Sequence, residues 1–420
     1  MERCNMLNTQ EVDKNQLQKY AELLVKKGVN IQPGQQIYLL APVEAAFFAH
    51  MVVEEAYKAG SGAVTVVYDD DVLTKLTYMN NPLEFFDTVA PWQAERSNSL
   101  AREGAAFIFL EGSDPNALKG VDPKKPALAR KRRNEAFKDY RERIDFGQNQ
   151  WLIAGVSTPK WAQMVFPELS EQDAVNALWN VILLTARADG ADPINAWDAH
   201  KQNFDAHKEF LNSHKFTKLH YTNSKGTDLI IGLPEKHIWE GGGAQTVGGV
   251  YFFPNMPTEE VFSSPHKDQT EGIVYSALPL VYSGNVIKDF WFKFEDGLVV
   301  DFGAQEGREV LEQLLATDEG AKRLGECALV PKESPIRQSG KLFFSTLYDE
   351  NASCHLALGM GFPDAYEGGL DMSKEELQKC GVNDSATHVD FMIGTDDLNI
   401  VGVKADGSEV QIFKDGTWAY

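Results

Sequence analysis

Apolar and polar positions follow two different periods along this chain, and the period changes near its middle. After the cap-like Asp13, residues Leu17, Tyr20, Ala21, Leu24 and Val25 recur at helical spacing and stop at Gly28, which predicts a helix. Residues 36–40 then read as a short buried strand, 43–59 as a helix ending at Gly60, and 63–68 as a β-branched strand. The pattern repeats with a helix over 94–103 before a strand over 105–110, and a long charged helix over 127–143 before a strand over 150–156. Such alternation implies parallel strands joined by right-handed crossovers, with helices on the sheet faces. Helical segments over 159–165 and 172–188 carry the chain to about residue 210.

Beyond that point strands dominate. Residues 216–221 and 227–231 read as a hairpin, as do 290–294 and 298–302 around Glu295, Asp296 and Gly297, and 400–403 and 409–413 around Ala405, Asp406 and Gly407. The predicted fold is an α/β N-terminal domain with a largely parallel sheet over residues 1–210. A mixed α+β, mostly antiparallel catalytic domain follows over 211–420. Two domains also suit 420 residues, since each half can bury a core of its own.

Composition narrows the function classes. Apolar residues make up 43% and charged residues 24%, the balance of a globular chain that folds fully. The N-terminal MERCNMLNTQEVDKNQ has no apolar h-region and no run of 18 apolar residues occurs, so neither export nor membrane spanning is expected. The four cysteines, Cys4, Cys327, Cys354 and Cys380, include no CxxC pair and suit a reducing cytoplasm. A net charge of −21 repels nucleic acid and anionic lipid and favours cationic partners.

Two features invite a nucleotide or nucleic-acid reading and fail it. The basic block Arg130, Lys131, Arg132 and Arg133 lies among Glu135, Asp139 and Glu142 at helical spacing, as on a solvated helix face. Gly60 and Gly62 sit between a helix and the next strand, the wrong order for a dinucleotide fingerprint, and no GxxxxGK[ST] occurs. The glycines Gly241, Gly242, Gly243, Gly248 and Gly249 read as loop or strand-end flexibility.

Candidate chemistry lies in the second half, where single ionisable residues interrupt apolar runs and would be costly to bury alone. Glu259 and Glu260 precede Val261 and Phe262; Glu326 heads a strand-like run ending at Val330; His355 stands in another run ending at Leu358. His388 and Asp390 are two residues apart and share a face if they lie on a strand. Taken one at a time, these fit a helix N-terminal turn, a hydrogen-bonded core histidine and a strand-edge pair. Together they offer two imidazoles and three or four carboxylates, the donor set for one or two divalent ions. No HExxH or GxSxG occurs, and Cys354 beside His355 would point to the opposite strand face, which disfavours a thiol nucleophile.

These residues lie in motifs through which the chain resembles the M29 metallo-aminopeptidases, the family of aminopeptidase T and the bacterial aminopeptidases S. The likeness runs from PGQ at Pro33 and PKWAQMVFP at Pro159 through NMPTEEVF at Asn255, LGECALVP at Leu324 and LYDENASCHLALG at Leu347 to HVDFMIG at His388. By similarity the metal ligands fall on Glu260, Glu326, His355, His388 and Asp390. The resemblance also implies an N-terminal α/β domain, a catalytic C-terminal domain, a homodimer and activation by divalent ions such as cobalt or zinc. The family's active-site tyrosine seven residues after the ligand histidine corresponds to Phe362 here, and Tyr366 is the nearby hydroxyl that could stand in for it.

The expected function is hydrolysis of N-terminal residues from peptides by a hydroxide bridging two divalent ions, cobalt, zinc or manganese. Glu259 is then a candidate proton carrier to the leaving amine. A carboxylate-rich site suits a substrate's α-ammonium group, which favours an exopeptidase. A two-metal dipeptidase or other amidohydrolase, and a non-catalytic peptide or metal binder, are the alternatives. His200 and His207, outside the motifs, are expected to be dispensable.

Overall fold

The structure is a computed structural model that describes residues 8–282 and 285–420; Met1 to Leu7, including Cys4 and the start of the N-terminal segment considered above, lie outside the described residues. The chain forms two compact units. One comprises the residues up to Ala199 with Gly243–Thr258, the other His200–Gly242 with Glu259–Tyr420.

In the first unit five strands form one sheet, ordered Asn255–Met256, Trp151–Gly155, Ala106–Glu111, Gln36–Pro42 and Ala63–Asp69, with every neighbouring pair parallel. The central strands are nearly continuous apolar runs: Ile37, Tyr38, Leu39 and Ala41 are buried, as are Ala106, Phe107, Ile108 and Leu110. That is the pattern of a parallel sheet covered on both faces. The first helix, Lys14–Leu23, starts where the Asp13 carboxylate accepts the Asn15 N–H, and buries Leu17, Tyr20, Ala21 and Leu23.

Two differences from the sequence pattern have local causes. The charged helix is broken at Phe137 into Lys124–Ala136, which buries no residue, and Lys138–Asp145, whose Tyr140 and Ile144 pack against the core around Phe107, so one apolar stripe does not run through both. Arg132 pairs there with Asp87 and Glu135, as a solvated face requires. The strand Asn255–Met256 joins this sheet although it comes far later in the chain. Ile153 N–H donates to Pro254 O (2.8 Å), Phe253 N–H to Gly28 O (2.8 Å) and Asn30 Nδ2 to Tyr251 O (2.7 Å).

The second unit contains an antiparallel sheet of eight strands, ordered Leu298–Gly303, Trp291–Glu295, Thr270–Tyr275, Asp228–Gly232, Lys218–Thr222, Asn399–Val403, Glu409–Lys414 and Thr417–Trp418. All three expected hairpins are present in it. A second antiparallel sheet has five strands, ordered His388–Met392, His355–Gly359, Leu324–Leu329, Val261–Ser263 and Glu240–Gly241. An α/β first unit and a mostly antiparallel second unit match the fold class expected.

The glycines at 241 and 242 serve close packing rather than flexibility. A Cβ on Gly241, whose φ is +148°, would lie 2.4 Å from the Glu260 carbonyl oxygen, and one on Gly242 would enter the Phe204 ring.

Candidate metal centre

The five-stranded sheet sorts its side chains by parity. Val261, Cys327, Leu329, Leu356, Leu358, Val389 and Phe391 alternate onto one face and join the large hydrophobic core of the second unit. Glu326, His355, His388 and Asp390 take the opposite face, with Glu326 paired to Ala357 and Ala357 to Asp390 across three strands. Glu260 immediately precedes the strand Val261–Ser263.

A bulge aims Glu326. Leu324 pairs with Leu358 while Glu326 pairs with Ala357, leaving Gly325 as the extra residue. Leu324 and Glu326 are two apart and would share a face in a regular strand; the bulge keeps Leu324 in the core and turns Glu326 to the donors. Only glycine fits at 325, since a Cβ would lie 2.2 Å from Met360 O and 2.4 Å from Gly359 O.

The donor atoms converge. His355 Nε2 lies 3.1 Å from Glu260 Oε2, and His388 Nε2 lies 3.1 Å from Glu326 Oε2 and 3.2 Å from Asp390 Oδ1. Glu260, Glu326 and His355 each offer an atom within 4.8 Å of the others, and so do Glu326, His388 and Asp390. Glu326 is common to both triads.

Two observations test whether this set fits a cation. Glu260 Oε2 and Asp390 Oδ1 are fully buried and have no hydrogen-bond partner, so their approach to the imidazoles lacks the directional geometry of a hydrogen bond. Orphaned carboxylate oxygens facing nitrogens are what a shared ion would satisfy. The second observation concerns the rings. His355 Nδ1 lies 3.1 Å from Ser353 O and His388 Nδ1 2.7 Å from Met360 O, so each Nδ1–H donates to a backbone carbonyl and each Nε2 faces the carboxylates. That outer hydrogen bond is the usual device for orienting a ligand imidazole. The residues fit.

The charges of the cluster act strongly on one another. Burial raises the Glu326 carboxyl, the His388 contact opposes it, and with Glu260 and Asp390 nearby it stands at about 7. Burial alone would lower His355, but the close approach of the Glu260 carboxylate and the charges of Glu326 and Asp390 carry it up to about 10. For Asp390, burial is outweighed by the His388 charge, which holds it below the usual carboxylate range. The protein thus concentrates negative charge at a buried place and balances it with protons on imidazoles, a balance that a divalent ion would take over.

The remaining candidates are placed as follows. The Phe362 ring lies 4.8 Å from the His388 ring and 5.5 Å from that of Phe262, beside the donors. The Tyr366 ring packs with Leu377, Val382 and Cys380 in a separate small cluster. Glu259 donates its N–H to Asn351 Oδ1 (2.7 Å), and its carboxylate turns to His200, whose Nε2 is 3.9 Å away. His200 is therefore not a bystander: it is buried against Phe204 and next to a candidate catalytic carboxylate, which removes it as an inert control. His207 stacks on Trp418. Cys354 lies on the core face, hydrogen-bonded to Val330, and burial pushes its thiol up to about 12, far from a thiolate nucleophile.

The residue that sequence reasoning missed is Glu350. Burial and the charges of Glu260 and Asp390 raise its carboxyl well above the usual range, and His355 and Glu326 also act on it. It lies five residues before His355 within the LYDENASCHLALG motif, but in a short turn, Glu350–Ala352, where strand parity gives no signal.

Comparison with known proteins agrees with this centre. A sequence profile of the thermophilic metalloproteases, M29, matches residues 13–418. The chain belongs to the M29 family. Aminopeptidase 2 of Geobacillus stearothermophilus is 46% identical over 405 residues, 96% of this chain and 98% of that protein. Aminopeptidase AmpS of Bacillus subtilis is 44% identical over 404 residues with the same coverage. The solved structure of wild-type AmpT from Thermus thermophilus matches this M29 chain with a TM-score of 0.91 at 40% identity, covering 97% of this chain and 100% of that one. A 2,5-dihydroxypyridine dioxygenase from Pseudomonas putida KT2440 shares the fold alone, at a TM-score of 0.54 and 12% identity. This M29 protein is accordingly a metal-dependent aminopeptidase that uses divalent metal.

Proposed function

We propose that this aminopeptidase holds two divalent ions, cobalt, zinc or manganese, one in each donor triad, with Glu326 shared between them. The observation that carries the reading is the membership of Glu326 in both triads, Glu260–Glu326–His355 and Glu326–His388–Asp390. Such ions supply a Lewis acid for the scissile carbonyl and acidify water near neutral pH.

The chain's own residues do the rest. Ser353 O and Met360 O fix the two imidazoles, so Nε2 is presented without rotational loss. The Phe362 and Phe262 rings close one side of the centre and keep bulk water from the carboxylates. For Glu259 to carry a proton to the leaving amine, its buried carboxylate must leave His200 and turn to the donor set.

The substrates proposed are peptides with a free α-amino group, and the setting proposed is a cytoplasmic homodimer. Among the described residues no helix is long and apolar enough to cross a membrane. The test is a metal titration of chelated protein by calorimetry, read beside hydrolysis of a pentapeptide and its N-acetylated form. Two equivalents bound and cleavage of the free peptide alone are expected. Saturation at one equivalent, or cleavage of the acetylated peptide, would refute the reading.

A further inference from the structure

The first unit holds an open cavity of about 510 Å³ that has no role in the account so far; Arg143, Gln148, Gln150 and Thr246 line it together with Gly34 and Gly104. All six residues belong to that unit. Neither glycine has a neighbour within 4 Å of where a Cβ would stand, so a ligand can approach the main chain there. Among the described residues the lining includes no carboxylate, in a chain with 61 acidic side chains against 40 basic ones.

Arg143 is fixed by a neutral partner. Asn149 is fully buried; its Nδ2 donates to Ala101 O (3.0 Å) and Ala105 O (2.8 Å), and its Oδ1 accepts the Arg143 Nε–H (2.9 Å). Arg102, Arg132, Arg323 and Arg337 each meet a carboxylate instead. Asp139 and Glu142, on the same helix as Arg143, are paired with Arg102 and Lys138. Among the described residues, the Arg143 Nη1 and Nη2 groups have no hydrogen-bond or ion-pair partner. A guanidinium held at Nε by a rigid amide keeps these two groups as a fork, the geometry that grips a phosphate or carboxylate through two parallel bonds.

The neighbouring polar groups suit hydroxyls rather than further charge. Gln35 and Gln150 exchange amide bonds (2.8 and 3.3 Å), which fixes Gln150 and leaves it a second N–H. Thr246 Oγ1 accepts the Val250 N–H (3.1 Å) and retains its own proton to donate. The Gln148 side chain is exposed and has no partner among the described residues. Amides and a hydroxyl both give and accept hydrogen bonds, as the hydroxyls of a polyol require.

We propose that this cavity binds a small hydroxylated anion, a sugar phosphate or sugar acid, with its oxyanion on the Arg143 fork and its hydroxyls on Gln148, Gln150 and Thr246. The volume falls in the range of about 300 to 1,000 Å³ that small-molecule sites occupy. A single guanidinium matches one oxyanion group, and the acidic remainder of the chain repels polyanions such as nucleic acid. A lining without carboxylates offers nothing to an ammonium group, which sets this ligand apart from peptides and amino acids. The donors of the metal centre all belong to the second unit, so failure of this proposal leaves the aminopeptidase reading intact.

The test is calorimetry on the metal-loaded enzyme with ribose 5-phosphate, gluconate and uncharged ribose as probes. Saturable binding of one or both anions is expected, and the pair tells which oxyanion the fork takes; ribose should bind far more weakly. Arg143→Gln should abolish that binding, and Arg143→Lys, which keeps the charge but not the fork, should weaken it about tenfold or more. Arg141→Gln, an exposed change of equal charge two residues away, should leave it at the wild-type value. Hydrolysis of leucyl-p-nitroanilide, which uses none of these residues, checks that every variant is folded. Binding of neither anion, ribose bound as tightly as the anions, equal loss in Arg141→Gln and Arg143→Gln, or affinity unchanged in Arg143→Gln overturns the proposal.

Discussion

The Phe362 ring lies 4.8 Å, centroid to centroid, from the imidazole of His388. A hydroxyl on that ring would stand beside the donor set, where charge develops on the substrate carbonyl. Phe362→Tyr should therefore raise kcat about tenfold or more with little change in KM, since a donor to an oxyanion is worth roughly 10² to 10³ in rate. Steady-state kinetics on leucyl-p-nitroanilide checks this. Tyr366→Phe should leave both parameters near wild type, because its ring packs into the separate cluster with Leu377, Val382 and Cys380; a large fall in kcat would mean that Tyr366 acts in catalysis after all.

His388 and Asp390 face the centre from one strand, so His388→Ala and Asp390→Ala should lose bound metal and reduce turnover by more than the roughly 10- to 100-fold typical of outer hydrogen-bond partners. Circular dichroism should report an intact fold. The exposed His50 is the appropriate control, in place of the buried His200. Metal content near wild type in both variants, measured by elemental analysis, would dissociate these residues from the site.

Chelation should change how stability responds to pH. In the metal-free protein His355 stands at about 10, above the ordinary 6.5, because its carboxylate neighbours overcome the effect of burial. A folded value raised in this way contributes stability that is complete below about 6.5 and is lost as pH rises through about 10. The melting temperature of chelated protein should therefore fall between pH 7 and pH 10. With cobalt or zinc the imidazole is neutral and liganded, so the difference between loaded and chelated protein should widen with pH. A gap that narrows over this range would contradict the charge balance described.

Gly241→Ala should destabilise the second unit by about 2 kcal/mol or more, since the added Cβ meets Glu260 O at 2.4 Å and alanine is strained at φ +148°. The displacement falls on the chain segment carrying Glu260, so metal affinity should drop with it. Urea unfolding followed by calorimetry measures both. Wild-type values for the two would show that the strand Glu240–Gly241 is not the support for Glu260.

Much of this protein was legible in its sequence because the determining forces are local or periodic. The switch from helix–strand alternation to hairpins comes from side-chain periodicity and turn residues, and the structure carries both sheets that it predicts. The candidate donors were also legible: His388 and Asp390 two apart, and Glu326 and His355 each alone in an apolar run, are positions where a strand turns a charged group away from its core. What tertiary structure decided is what depends on contacts between distant segments. Periodicity could not place Asn255–Met256 in the first sheet, because two residues carry no pattern and their partners lie a hundred residues earlier. It could not show that Gly325 is a bulge that re-aims Glu326, that Gly241 yields to the Glu260 carbonyl, or that Glu259 turns to His200 while Glu350 lines a cavity with Asp390. Sequence sets which face a residue takes along its own strand; register across strands, and the turns that bring one more carboxylate to the centre, are fixed only when the sheet closes on its neighbours.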